Sequence, residues 1–404
     1  MIKAWTDGAE AGLLDRRGER GSTFVYMPGS VPERSVSVTM PVRTASWNTA
    51  YGLAPIFEMN LPEGALRERL RLRFAKPSGT FDELDVLAVV GRSQVGRIRY
   101  TGQAEQLHES VPFQSVDEIL AQRRGGELYR YLLDEFAQHS GISGVQPKVL
   151  IRDTEHSNAL KAAKVRLSQS FQGATHIVKF WEPDEFPQLA ANEYFCLQAA
   201  ENCDLNVPRY RLAEDGMALV VDRFDLRPDG TYCGFEDFCV LNAKRSADKY
   251  MGSYETAIIR RFEEYGRSNL IHEEQEHLFM LIALNCALRN GDAHLKNFGI
   301  IYDDVNGDAH LAPVYDLITT TVYLEQDQMA LTLNGSKRWP SSQQLSALGE
   351  KRLHLPPSRV LHLLQRVDEA VDFTRKQMGR YISDHAEFAD IGNLMLQHWQ
   401  RVAS

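Results

Sequence analysis

The chain has 404 residues, 43% apolar and 25% charged, with 45 basic against 54 acidic side chains and a net charge of −9. That length leads us to expect about two to three domains with ample buried core. The composition excludes a disordered chain and a dedicated polyanion binder with a wholly basic surface, but leaves room for a local basic patch.

In chain order, residues 1–28 read as three short strands separated by Gly-containing turns, a meander. Residues 60–74 read as a helix with Pro62 and Glu63 at its start. Its arginines, Arg67, Arg69, Arg71 and Arg73, are spread by alternate spacing around the cylinder and read as a solvated surface. Residues 81–100 run from helix into strand, and a polar stretch after Thr101 places a domain boundary near residue 105. A helix from about 126 leads into the loop SGISGVQPK, residues 140–148. Strands at 149–152, 164–167 and 175–181 follow, then a helix containing Asn192-Glu193-Tyr194-Phe195 and the apolar strand ALVVDRF. From 228 the chain turns helical, over 254–265, 270–289, 357–375 and 385–402; Val360, Leu363, Leu364, Val367 and Val371 keep the i, i+3, i+4, i+7 rule. The expected divisions are 1–105, 106–227 and 228–404: an α/β subdomain, a β-rich lobe and a helical lobe, with a cleft between the lobes. The run 278–288 is too short to span a bilayer, which takes about 20 apolar residues, so no membrane association is expected. Five cysteines, at 196, 203, 233, 239 and 286, are odd in number and include no C-x-x-C pair, giving neither a disulfide framework nor a zinc site. With no signal-peptide anatomy in MIKAWTDGAEAG, the reading is a cytoplasmic protein.

The strongest local signal is RNGDAHLKNF, residues 289–298. Asp292 precedes Asn297 by five positions, the D-x-x-x-x-N spacing of phosphoryl-transfer loops, where the Asp takes or orients the acceptor proton and the Asn supplies a neutral oxygen to Mg²⁺. By itself the spacing also fits turn chemistry and helix capping. A hairpin centred on Asn306-Gly307 would set Asn297 opposite Asp316, converging an amide and a carboxylate as Mg²⁺ requires. Lys179 ends an apolar strand and Glu193 follows on a helix, the arrangement that holds a lysine on ATP phosphates. Glycines 141 and 144 with Ser143 and Lys148 suit a phosphate cradle, although the loop matches no nucleotide motif. His294 reads as a structural histidine bonded within the loop.

The ordered set SGISGVQPK, THIVKF, NEYFCL, LNVP, VVDRFD, NGDAHLKNFGI, PVYDL and LTLNGSK resembles the HipA family of bacterial toxin serine/threonine kinases. SVSVTMPV, FEMNLPEG and VGRSQVG extend the resemblance over nearly the whole chain. It implies an α+β, two-lobed protein-kinase-like fold with an extra N-terminal subdomain, Mg²⁺ and ATP as cofactors, and a HipB-like helix-turn-helix antitoxin through which DNA is mainly contacted. By the same resemblance Asp292 is the catalytic aspartate, Asn297 and Asp316 are Mg²⁺ ligands, and Lys179 contacts ATP. Asp222, Arg223 and Phe224 form the connecting strand that binds adenine by its backbone. The phosphate loop includes Ser143, Gly144, Val145, Gln146 and Lys148, and His294 and Lys296 join the nucleotide-binding set. The family's substrates, aminoacyl-tRNA synthetases, are phosphorylated so that translation stops. Its phosphate loop carries a regulatory autophosphorylated serine; some relatives have a serine where this chain has Gly141 and others at both that position and the one two residues later, so that autophosphorylation here is either at Ser143 or absent. The competing readings are a small-molecule phosphotransferase and a pseudokinase that binds an antitoxin and modulates repression. Retention of Lys179, Asp292, Asn297 and Asp316 together argues against the pseudokinase.

Overall fold

The structure, a computed structural model, describes residues 1–75, 81–121, 125–153, 171–181 and 185–403. The strand read at 164–167 lies outside them. By contact density the described chain forms two compact units, each assembled from separated segments: Met1–Phe180 with Arg209–Ser246 and Ile301–Asp308, and Trp181–Pro208 with Ala247–Ile300 and Ala309–Ser404.

The first unit begins with a hairpin whose turn is written into two residues. Strands β1 (Ile2–Thr6) and β2 (Ala9–Arg17) pair antiparallel with Thr6 opposite Ala9. Asp7 and Gly8 alone connect them, with φ of 51° and 74°, the left-handed pair that a right-twisted two-residue hairpin requires. β3 (Gly21–Tyr26) completes the expected meander, β4 (Trp47–Thr49) adds beyond it, and β5 (Ile98–Gly102) pairs with β1. Phe57 stands 5.1 Å from the Phe24 ring and 6.0 Å from that of Tyr100 in the core of this sheet. The helix read at 60–74 starts at Gly64. Its arginines are engaged at the surface: Arg71 with Glu68, and Arg69 and Arg73 with Asp134. The helix Glu83–Val90 is set by a reciprocal capping box, in which the Asp85 N–H donates to Asp82 Oδ1 at 3.0 Å and the Asp82 N–H to Asp85 Oδ2 at 3.1 Å.

A second antiparallel sheet in the same unit comprises β6 (Lys148–Ile151), β7 (His176–Phe180), β8 (Tyr210–Leu212) and β9 (Ala218–Asp222), in the order β6-β7-β9-β8. Every residue of β6, β7 and β9 is buried. The segment leaving β9 is fastened to the N-terminal sheet region by a buried ion pair. Arg223 reaches Asp225 at 2.5 Å and the Gln94 carbonyl at 2.7 Å, while the Gly96 N–H donates to Asp225 Oδ2 at 2.6 Å. The Tyr232 ring lies between the guanidinium groups of Arg99 and Arg223, at 4.0 and 4.6 Å from its centroid. β10 (Gly234–Asp237) adds the buried Glu236, which accepts from Ser37, from the Val38 N–H and from Tyr302.

The second unit is helical apart from part of a hairpin, β11 (Gly299–Tyr302) and β12 (Ala309–Leu311). The helix Ile271–Ala287 buries nearly all of its C-terminal half. The helix Leu189–Asn202 belongs to this unit: Asn202 donates to Thr374 at 2.9 Å, and the rings of Phe195 and Phe388 stack at 5.5 Å. Several expected boundaries move. The helix read as 357–375 continues to Asp384 because Thr374 and Met378 prolong its buried stripe. The one read as 385–402 is confined to Ala389–His398, and Trp399 leaves it to donate to Thr319 at 2.7 Å. Residues 254–265 open as a π-helical turn, Tyr254–Ile259, before the α-helical Arg260–Tyr265. The helix Ser342–Arg352 was not expected, although Ser341 and Gln344 form a capping box visible in the sequence.

Replacing Asp225 by Ala strands a buried arginine and the Gly96 N–H together. The first unit is expected to lose about 3–5 kcal/mol, read as a fall in its melting transition by calorimetry.

Candidate active site

The loop following the Ile271–Ala287 helix is held by side chains from its own neighbourhood. Arg289, with φ of 57°, turns the chain out of the helix. Asn290 donates to Asn285 at 2.7 Å and accepts from the Asp292 N–H at 3.0 Å, while the Gly291 N–H donates to Thr320 Oγ1 at 2.7 Å. The buried Tyr254, first residue of the π-helical turn, donates to the Ala293 carbonyl at 3.1 Å, and Tyr315 to the Lys296 carbonyl at 2.9 Å. Each bond fixes backbone on either side of Asp292, whose carboxylate is directed at the Tyr250 hydroxyl 2.5 Å away.

Asp292 keeps 44% of its side-chain surface accessible. The protein packed around the rest raises its pKa above the ordinary carboxyl value; Asp316 and Asp327 add to the rise, and the Tyr250 hydrogen bond and Lys249 oppose it. His294 is buried beside Lys249 and Lys296, and burial first, then those cations, push its pKa down to about 3. It is therefore a neutral imidazole. Its Nδ1 is buried with no hydrogen-bond partner among the described residues.

Asn297 and Asp316 do converge, but not through the expected hairpin register. The Gly307 N–H donates to the Asp304 carbonyl at 3.0 Å and the Ala312 N–H to the Gly299 carbonyl at 2.9 Å. The turn is thus centred on Val305-Asn306, one residue earlier than Asn306-Gly307, and Asn297 is not the cross-strand partner of Asp316. Contact arises beyond the strands: Asn297 Nδ2 donates to the Asp316 carbonyl at 3.5 Å, and Asp316 adopts φ of 51°. Asn297 Oδ1 accepts from the His294 N–H at 3.2 Å. Asn192 supports the segment after Asp316, donating to the Thr319 carbonyl at 3.0 Å and accepting from its N–H at 2.8 Å.

In the first unit, Lys148 and Lys179 are both buried and face each other across β6 and β7. Gly144 has φ of 112°, and a Cβ there would lie 2.6 Å from Lys148 Nζ. Glycine at 144 therefore lets the lysine head reach the loop backbone. Gln146 donates to the Phe180 carbonyl at 3.2 Å, while Val145 at the tip is exposed and Ser143 half-buried. Gly141 is tightly enclosed: a Cβ would fall 2.5 Å from Gln94 Cγ and 2.7 Å from the Ser93 carbonyl. In the connecting segment the Asp222 and Arg223 N–H groups already donate to the Arg209 and Thr175 carbonyls, at 2.8 and 3.0 Å. Asp222 also lies 3.3 Å from both His176 and Arg211. Phe224 packs edge-on against Phe235. Glu193 is buried on the Leu189–Asn202 helix. Tyr250 and Tyr254 belong to the site but carry no motif by which sequence reasoning could have found them, while Asn290 stands inside the 289–298 motif without a role assigned to it there.

The oxygen-rich set of Asn297 and Asp316, with the Asp292 carboxylate nearby, fits a hard divalent cation that needs only one or two protein carboxylates. Among the described residues no cluster of three or more His, Cys, Asp or Glu side chains forms a site for a protein-bound metal, so phosphates or water would complete the shell. No described helix is long and apolar enough to cross a membrane.

A family model described as the HipA-like C-terminal domain matches residues 140–374, and a second, the HipA N-terminal domain, matches residues 2–101. Two candidate kinases of Sinorhizobium fredii are similar. Y4dM is 27% identical over 74% of this chain and 70% of its own length, and Y4mE is 25% identical over 96% and 93%. Among solved structures, a chain from the Shewanella oneidensis complex of HipA, HipB and operator DNA superposes with a TM-score of 0.68 at 18% identity, covering 99% of this chain and 97% of that one. The fold is accordingly α+β and kinase-like.

Two outcomes follow from this geometry. Nitrogen-15 imidazole spectra should show His294 neutral from pH 8 down to about 3. Because the unfolded histidine binds its proton near pH 6.5, His294 contributes stability above that pH that is lost progressively as pH falls toward 3. Gly141→Ser should lower stability by about 1–3 kcal/mol, since the new Cβ meets the fixed Ser93 carbonyl as well as the Gln94 side chain; a denaturant titration checks it.

Proposed function

The chain belongs to the HipA family, and on that footing we propose that it is a cytoplasmic ATP- and Mg²⁺-dependent serine/threonine protein kinase, the toxin of a toxin–antitoxin pair. Residues 1–105, 106–227 and 228–404 are its functional divisions. The observation that carries this reading is the loop at 289–298. A partly desolvated Asp292 carboxylate is hydrogen-bonded to a hydroxyl at 2.5 Å, and Asn297, five residues on, touches Asp316. A carboxylate so held can orient an acceptor hydroxyl and take up its proton.

Asn297 and Asp316 would hold Mg²⁺, which when bound offsets the negative charge of the transferring phosphate. Lys179 and Lys148 bind the α- and β-phosphates, with Gly144 giving room for the Lys148 ammonium group. Val145 and Gln146 complete the loop, the latter by tying it to the end of β7. Lys296 and the neutral His294 line the nucleotide side of the catalytic loop, where the unsatisfied His294 Nδ1 can accept or donate a hydrogen bond. Asp222, Arg223 and Phe224 form the adenine-side connection. Since the N–H groups of Asp222 and Arg223 are committed within the fold, adenine recognition there draws on the remaining backbone groups.

The acceptor is a protein serine or threonine, with an aminoacyl-tRNA synthetase as the substrate class and arrest of translation as the consequence. Ser143 is the candidate autophosphorylation site; a phosphate there would repel the ATP phosphates from the same cradle. The Shewanella oneidensis neighbour stands in a complex with HipB and operator DNA. By analogy a HipB-like antitoxin is the partner here, with DNA contacted mainly through it.

Incubation with Mg²⁺-ATP followed by peptide mass spectrometry tests the reading. Phosphate is expected on Ser143 or on an added synthetase, and Asp292→Asn should lose at least about a hundredfold in transfer while keeping nucleotide affinity. Full transfer by Asp292→Asn would overturn the assignment. The pH profile provides a separate check: burial raises the Asp292 pKa, so the carboxylate is lost as pH falls through a value above the ordinary aspartate figure of about 3.9. The acid limb of kcat should lie correspondingly high.

A further inference from the structure

Tyr250 matches no motif, yet it makes the closest polar contact to the proposed catalytic carboxylate. Its side chain is 42% exposed, and its hydroxyl donates to Asp292 Oδ1 at 2.5 Å, the short distance of an O–H donor on an ionised carboxylate. The ring stands edge-on to His294, with centroids 5.0 Å apart. The Lys249 carbonyl accepts from the Leu295 N–H at 3.1 Å, so segment 249–250 is fastened to the catalytic loop. His294 Nε2 lies 3.9 Å from the same Asp292 oxygen, beyond hydrogen-bond reach. The partner of Asp292 Oδ1 is therefore a hydroxyl, chemically equivalent to that of an incoming serine, threonine or water.

With the phenol on Oδ1 at 2.5 Å, an acceptor hydroxyl that approaches that oxygen from the same side has to displace it. We propose that the Tyr250 hydroxyl is a placeholder, occupying in the free protein the position on Asp292 that the acceptor hydroxyl takes during transfer, so that displacement of Tyr250 selects which acceptors react. The inference rests on Asp292 being the acceptor-orienting group. In the step concerned, the acceptor oxygen bonds to the γ-phosphorus as the bond from that phosphorus to the ADP oxygen breaks. The acceptor proton passes to Asp292, and ADP leaves. Tyr250 swings to the solvent side, toward which it is already exposed. Gly252, two residues on with φ of 145°, supplies backbone freedom beside it that no other residue type has.

The test is total loss of γ-phosphate from radiolabelled Mg²⁺-ATP by the full chain, counting free and protein-bound phosphate so that water and the chain's own hydroxyls both register. Tyr250→Phe keeps the ring and removes the hydroxyl. One hydrogen bond to a charged group is a barrier of about ten- to a hundredfold, so kcat should rise by about that factor with KM for ATP unchanged. Structural damage would lower turnover instead. Tyr250→Ala should rise similarly, and separates the hydroxyl from the ring's contact with His294. Unchanged or reduced kcat in a Tyr250→Phe protein with wild-type melting overturns the proposal. So does phosphate found on Tyr250, which would make it an acceptor. If Asp292→Asn turns over like the wild type, or the wild type turns over no ATP, the underlying phosphotransfer reading fails and this inference falls with it. A lost Asp292→Asn activity with an unmoved Tyr250→Phe kcat sinks the placeholder alone.

Discussion

The first unit depends on one buried ion pair. Arg223 and Asp225 lie two residues apart, almost wholly inside the protein, on the segment that leaves β9. A pair so placed is stable only where further hydrogen bonds satisfy both ions, and here the extra partners come from the turn at residues 94–96 of the N-terminal sheet region. The Gln94 carbonyl accepts from the guanidinium and the Gly96 N–H donates to the carboxylate. Tyr232, held between Arg99 and Arg223, donates to Glu109 at 3.0 Å. The same turn receives the start of the glycine loop: the Gly141 N–H donates to the Ser93 carbonyl and the Val95 N–H to the Gly141 carbonyl. The N-terminal sheet is thus tied to both the loop and the connecting segment, and the enclosure of Gly141 is a local cost of that attachment.

The second unit uses a different device. Its loop at 289–298 is fixed mainly by neutral amides and hydroxyls: Asn285 to Asn290 to the Asp292 backbone, Thr320 to Gly291, Tyr254 to Ala293, and Asn192 to Thr319. Such bonds orient backbone without adding net charge. The electrostatics are left to three carboxylates, two lysines and a histidine whose burial keeps it neutral. The π-helical turn at Tyr254–Ile259 fits the same pattern, since π segments are often found at functional sites and this one brings Tyr254 to the loop.

The Asp7-Gly8 turn, the capping box at Asp82 and Asp85, the apolar stripe from Val360, and the spacing from Asp292 to Asn297 were legible because each is a local rule linking neighbouring residues to backbone conformation. The helix at Ser342–Arg352 was equally local, and its capping box was there to be read. The hairpin register was misplaced by one residue because Asn306-Gly307 is a strong turn signal, whereas the chain closes a four-residue turn through the Asp304 carbonyl.

What the sequence determined by itself is the family, the main strand-rich and helical stretches and the motif residues of the candidate site, since these follow from short-range periodicity and motif spacing. Tertiary structure decided the rest. It set Lys148 against Lys179, enclosed Gly141 against Ser93 and Gln94, brought Asn297 to Asp316 by a route other than strand pairing, and laid the Tyr250 hydroxyl on Asp292. The physical reason is the same in each case. Burial and contact between residues far apart in the chain set which polar groups lose water and which partner replaces it, and no local pattern records that choice.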